Sequence, residues 1–109
     1  MQNIDELIRA PIVNFKQISF KEAMRIKKEY KSSIILDVRT EEEFNVQHLE
    51  DAVLLPYDLI PTTATKILQD KEANILIYCR AGRRSVIAAH LLGNMGYKNV
   101  YEFGGITLW

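Results

Sequence analysis

At 109 residues the chain has room for one domain of ordinary size and not for two, so residues 1–109 must build any site around a single core. An apolar share of 48% beside a charged share of 26% excludes a disordered tail. Fourteen basic and fourteen acidic side chains cancel, which removes the overall positive field that nucleic acid or an anionic membrane surface would call for.

The opening MQNIDELIRAPIVNF lacks a basic start followed by an uninterrupted apolar run, and no later segment approaches the roughly 20 apolar residues of a membrane span. A cytoplasmic protein with no membrane and no nucleic-acid partner is expected. From Ser19, SFKEAMRIKKEY places Ser19 and Glu22 at capping-box spacing, with Phe20, Ala23 and Met24 on one face and lysines around the other. That predicts an amphipathic helix, on which Lys27, Lys28 and Lys31 form a solvated basic edge.

SSIILDV, from Ser32 to Val38, has almost no polar interruption and predicts a strand covered on both faces. Thr40 and Glu43 repeat the capping-box pattern, so TEEEFNV reads as a short helix directly after it. Arg39 and Glu43 stand at the spacing of a helical ion pair. His48, without a second His or Cys at ligand spacing, reads as a hydrogen-bonded turn residue.

AVLLP, from Ala52 to Pro56, is a strand that proline stops, and PTTATKILQD opens a helix at Pro61. NILIYC, from Asn74 to Cys79, is again a fully apolar strand. Arg80 to Arg84 follow, and then SVIAAHLLGNMG, a helix whose Ala88, Leu91, Leu92 and Met95 share a face and whose end suits a left-handed Gly96. His90 falls within it as a packed or edge histidine. NVYEF makes one more strand, and Gly104–Gly105 reads as a tight turn. Buried strands alternating with helices predict a single α/β domain with a mainly parallel central sheet and helices on both faces.

Ligands of such sheets gather at the carboxyl ends of the strands, where Cys79 lies. A loop from strand to helix turns backbone N–H groups inward at a helix start, so it stabilises an anion, and a thiolate at its base shares that field. Arg80, Arg83 and Arg84 add positive charge and forked donors, while Gly82 permits a tight turn. The plainer reading makes Cys79 a small apolar residue ending a core strand. Packing alone does not call for three arginines and a glycine, so an anion site is the reading adopted. A single cysteine forms no internal disulfide, and no Cys/His spacing resembles a zinc site.

A Cys-dependent phosphatase uses a similar cradle with arginine at the sixth position after cysteine. Here Ser85 stands sixth, and the arginines stand one, four and five positions on. That counts against phosphate esters and leaves a phosphatase or arsenate reductase as an alternative.

Three stretches, ILDVRTEEEFNVQHLEDAVLLP, IYCRAGRRS and VYEFGGITLW, together resemble the rhodanese sulfurtransferase family from about Ser32 to Trp109. The resemblance implies that Cys79 takes sulfane sulfur from thiosulfate or a similar anionic donor as a persulfide and passes it to a thiol, a protein acceptor or cyanide. Backbone amides across Arg80, Ala81, Gly82, Arg83, Arg84 and Ser85 would hold the persulfide, and the arginines would orient the donor. No metal or organic cofactor is implied, and Asp37 and Arg39 become scaffold. A module that keeps the fold without catalysis is a further alternative. Two departures stand out: Gln47 and Asp51 occupy positions near the turn histidine where the family commonly has glycine, and the chain stops at Trp109. The last element is therefore expected to lie unanchored or to pair with a second subunit.

Overall fold

A computed structural model describes residues 15–109; the opening segment read for a leader sequence falls, apart from Phe15, outside the described residues. The strands are β1 (Lys16–Gln17), β2 (Ile34–Asp37), β3 (Val53–Leu54), β4 (Asn74–Cys79) and β5 (Asn99–Gly105). Between them run α1 (Phe20–Glu29), α2 (Glu41–Val46), α3 (Ile60–Ile67) and α4 (Arg83–Asn94), with short 3-10 turns at Tyr57–Leu59 and Ile106–Leu108.

All paired strands are parallel, in the order β1-β5-β4-β2-β3. After β2 the chain moves outward to β3, and after β4 it moves outward the other way to β5. The crevice at the carboxyl ends of β2 and β4 is therefore the switch point of the sheet, where loops leave in opposite directions. Cys79 ends β4 there.

Period-two alternation sorts the core onto two faces. Ile75, Ile77 and Cys79 of β4 face α3 and α4, packing with Ile60, Ala64, Ala88, Ala89 and Leu92. Leu76 and Tyr78 face α1, packing with Ala23, Ile26 and Phe103. Helices on both faces follow because the central strands β2 and β4 have no exposed side to give to water.

Helix starts follow local chemistry. At α2 the Thr40 hydroxyl accepts from the Glu43 amide at 3.2 Å and the Glu43 carboxylate accepts from the Thr40 amide at 3.2 Å, a complete capping box. At α1 only half of the box forms: Ser19 caps the Glu22 amide at 3.1 Å, while the Glu22 carboxylate turns to Arg25. Lys27 closes the other end of α1 by donating to the carbonyls of Lys31 and Ser33, so it is not simply solvated. Helix α4 begins at Arg83, two residues before the stretch expected to be helical, with Gly82 as its cap at φ 94°.

Three expectations need correction. Arg39 does not pair with Glu43: it precedes the Thr40 cap, outside the helix, so the helical spacing rule does not reach it. Gly104–Gly105 is the bulged end of β5 and not a tight turn; the register with β4 shifts between Ile77 and Cys79. Trp109 is anchored: its ring stacks on Phe103 at 5.3 Å, meets Phe20 at 4.6 Å, and donates through Nε1 to the Phe103 carbonyl at 3.2 Å.

The two departures separate on backbone geometry. Asp51 adopts φ 64°, the left-handed region that glycine enters without strain and aspartate tolerates. Gln47 is extended at φ −165° and needs no glycine.

Candidate active site

The Cys79 loop is held from behind. The carbonyl of Arg80 accepts from the Thr107 amide at 3.0 Å and from its hydroxyl at 2.8 Å. A Cβ added at Gly105 would stand 2.2 Å from that same oxygen, so only glycine lets β5 lie this close to the loop. In front, the left-handed turn at Gly82 aims its N–H at Cys79 Sγ, 3.0 Å away. The N-terminus of α4 begins at the next residue and adds its partial positive charge.

Cys79 is a free thiol and is buried, with 1% of its surface exposed. The residue ends a core strand, and its sulfur faces the inside of a loop whose Gly82 amide donates to it. Ser85, fully buried, closes the loop with its hydroxyl 3.3 Å from Sγ. Ala81 lies exposed on the loop rim.

The three arginines of the loop divide. Arg80 and Arg83 are exposed and form no ion pair with another described residue. Arg84 is engaged in a two-pronged contact with Glu43, Nη1 to Oε1 at 2.6 Å and Nη2 to Oε2 at 3.0 Å. Hydrogen bonding to Arg84 holds the Glu43 carboxyl down to about 2 against the opposing effect of burial, and the same contact raises Arg84. Arg84 thus ties α4 to α2 across the crevice, and its charge also acts on Cys79. Glu43 was not read from sequence as a partner of the loop; its place on a helix leaving the neighbouring strand was the available signal.

Asp37 and Arg39 form a buried scaffold beside the site. Arg39 donates to both Asp37 oxygens and, at 2.6 Å, to the Gln47 carbonyl. The Tyr78 hydroxyl donates to Asp37 at 2.6 Å and accepts from the Leu49 amide at 3.1 Å. Burial, and then this bond to Asp37, pushes the Tyr78 phenol upward, so it stays a donor. The network fixes the turn that follows α2. His48 lies on that turn, stacked on Phe44 at 3.7 Å with Nδ1 2.7 Å from the Phe44 carbonyl. His90 sits 5.0 Å edge-on to Phe15, and burial lowers its pKa.

A cleft of about 600 Å³ opens beside Arg80 between the turn after α2 and the closing segment, bordered by Arg39, Glu43, His48, Thr107 and Trp109. A second, of about 640 Å³, lies at the opposite end of the sheet where β5 starts and contains none of the loop residues. Among the described residues, no group of three or more His, Cys, Asp or Glu side chains could hold a metal ion. No helix among them is long and apolar enough to cross a membrane.

Glu102 is the residue whose role the sequence reading missed. It falls in the strand expected over NVYEF, yet it is 4% exposed and its carboxylate meets Ser85 at 2.6 Å. A lone carboxylate within VYEF was the signal.

Comparison with known proteins gives the same frame. Residues 19–109 match the Rhodanese-like domain family. The chain is 32% identical over 71 residues to the thiosulfate sulfurtransferase PspE of Escherichia coli, covering 65% of this chain and 68% of that one. It is 38% identical over 77 residues to a sulfurtransferase of Allochromatium vinosum, covering 70% of each. Similarity also reaches a tRNA uridine(34) hydroxylase of Yersinia pestis, 34% over 77 residues, where the match spans only 22% of that longer protein. Among solved structures, a rhodanese-like domain protein from Staphylococcus aureus superposes with a TM-score of 0.72 at 32% identity, over 86% of this chain and 90% of that one. Sulfurtransferases thus recur among the relatives, and the chain belongs to the rhodanese-like domain family.

Proposed function

We propose that this protein is a sulfurtransferase in which Cys79 takes sulfane sulfur from thiosulfate or a donor of like charge and passes it to a thiol or cyanide. The observation that carries the reading is the Gly82 N–H aimed at Cys79 Sγ at 3.0 Å, at the start of α4. An anionic sulfur at the base of that loop is favoured by an N–H donor and by the helix dipole together.

In the first half-reaction the Cys79 thiolate attacks the outer sulfur of thiosulfate. A sulfur–sulfur bond forms to Cys79, the sulfur–sulfur bond of the donor breaks, and sulfite leaves with the electron pair. In the second, cyanide or an acceptor thiolate attacks the terminal sulfur of the persulfide, and Cys79 leaves as thiolate. Charge balances in each step, and no external oxidant or reductant enters. The loop from Arg80 to Ser85 accommodates the terminal sulfur. Arg80 and Arg83, which no carboxylate among the described residues engages, meet the sulfonate, whereas Arg84 stays with Glu43 and acts on the site by its charge. The chemistry needs a reduced Cys79 and a supply of thiols, which a cytoplasmic setting provides.

Steady-state turnover of thiosulfate with cyanide tests the proposal, with parallel lines in double-reciprocal plots expected of a ping-pong enzyme. Arg80→Ala and Arg83→Ala should raise KM for thiosulfate several-fold with little loss of stability. Turnover of an aryl phosphate or arsenate with inert thiosulfate would overturn the proposal in favour of phosphatase-like chemistry.

A further inference from the structure

Glu102 is buried on β5, and its carboxylate is fully engaged. Oε2 accepts from Ser85 Oγ at 2.6 Å and from the Gly104 amide at 2.8 Å, and Oε1 accepts from Gln17 at 3.2 Å. The bulge that ends β5 makes the Gly104 contact, because it turns the strand's own amide back onto the side chain two residues earlier. Ser85 Oγ then stands between this carboxylate and Cys79 Sγ, 3.3 Å away.

A hydroxyl has one proton to donate and can accept from two donors. The carbonyls of Gly82 and Gly104, at 3.1 and 3.4 Å from Ser85 Oγ, are acceptors only. The Ser85 proton belongs to its shortest contact, Glu102, and the Cys79 S–H therefore donates to Ser85. The contacts form a directed chain, Cys79 to Ser85 to Glu102, running inward from the loop to the sheet.

We propose that Glu102, acting through Ser85, takes up the Cys79 proton when the nucleophile forms. The S–H bond breaks and its electron pair stays on sulfur; the proton joins Ser85 Oγ, while the former Ser85 proton joins Glu102 Oε2. Afterwards the protonated carboxyl donates to Ser85, Ser85 donates to the thiolate, and the Gly82 N–H supplies a second donor to sulfur. The net charge of the buried group is unchanged. The arrangement avoids a state in which a thiolate and a carboxylate are both charged in one buried space, which like-charge repulsion and burial each oppose. This inference rests on Cys79 as the nucleophile of the proposed sulfur transfer. Glu102 touches no reacting atom and is a positioning residue.

Among the described residues, Cys79 is the one other titratable side chain bonded into this Glu102–Ser85 chain. From β1 comes the neutral Gln17, from α4 the neutral Ser85, and from β4 Cys79 itself. Arg84 acts on Cys79 by its charge but is held by Glu43, and Arg80 and Arg83 are exposed to solvent. His90, further along α4, faces Phe15.

Alkylation of Cys79 by iodoacetamide as a function of pH reads the thiolate without a sulfur donor. In the unaltered protein the rate should rise in two steps with a plateau between them, as expected of a coupled pair sharing one proton. Glu102→Gln keeps the size and accepts from Ser85 but takes no proton; Ser85→Ala removes the bridge and leaves the Gln17 and Gly104 contacts. Both should lose the plateau and alkylate in a single step, because no carboxylate remains linked to Cys79 by a shared proton. If Glu102 is only a structural staple that shares no proton with Cys79, the unaltered protein and Glu102→Gln both alkylate in one step, which overturns the proposal. Should Glu102→Gln fail to fold, Ser85→Ala decides alone: a single step without the plateau supports the relay, and an unchanged two-step profile overturns it. A protein that alkylates in two steps yet forms no persulfide would refute sulfur transfer and leave the proton relay standing.

Discussion

Substituting Gly105 by alanine should damage the fold far more than its single added methyl group would imply. The residue is extended, at φ −145°, so backbone conformation does not require glycine there. Space does: the new Cβ would stand 2.2 Å from the Arg80 oxygen, 2.3 Å from the Arg80 carbonyl carbon and 2.5 Å from the Ala81 nitrogen. All three are backbone atoms of the Cys79 loop, so no side chain can swing aside. Relief requires β5 and the loop to part by about 1 Å, which strains the two hydrogen bonds from Thr107 to Arg80. Overpacking of about 1–3 kcal/mol and two bonds of about 0.5–1.5 kcal/mol each give an expected loss of about 2–6 kcal/mol. Gly96→Ala is the control: its φ of 93° makes it strained, but its Cβ would meet only the Lys71 side chain at 3.7 Å, for a cost of about 1–2 kcal/mol. Equilibrium urea unfolding of both variants measures the difference. A Gly105→Ala variant no less stable than Gly96→Ala would refute the reasoning, because the clash would then be absorbed without moving the loop.

The Arg84–Glu43 contact should show as a pH-dependent contribution to stability. The folded carboxyl, at about 2, lies below its ordinary 4.5, so the contribution is present above pH 4.5 and is lost as pH falls through about 2. With each side chain about a quarter exposed, Glu43→Gln should cost about 1–2 kcal/mol at neutral pH, and the gap to the unaltered protein should close in acid; a gap constant from neutral pH to pH 2 would contradict the assignment. At Asp51 the left-handed backbone predicts an order, with glycine at least as stable as aspartate and valine lower than glycine by about 1–2 kcal/mol in thermal unfolding. Equal stability of the glycine and valine variants would show that this turn relaxes.

Sequence made the centre of the molecule legible and its edges less so. IILD and NILIYC are short apolar runs because both faces of those strands are covered, and that pattern survives into structure as β2 and β4. The Cys79 loop stood out in sequence for a different reason, Gly82 and three arginines crowded against the chain's only cysteine, though the structure also uses Gly82 to cap α4 and Arg84 to hold Glu43. Edge strand β1 was not foreseen, since two exposed residues, Lys16 and Gln17, carry no alternation to read. Partnerships across the crevice were hidden too. Glu43 stands at the spacing of a helical pair with Arg39, but tertiary placement gives it Arg84 and gives Arg39 the buried Asp37. Glu102 shows the same limit, because a carboxylate in a strand reveals its purpose only when the serine facing it is known.

Intact-protein mass measurement after exposure to thiosulfate, and again after cyanide, bears most directly on the claim that Cys79 carries sulfur. The account predicts the gain of one sulfur atom, its removal by cyanide with release of thiocyanate, and no gain in Cys79→Ser. Folded protein with a reduced Cys79 that remains unmodified by thiosulfate would contradict it.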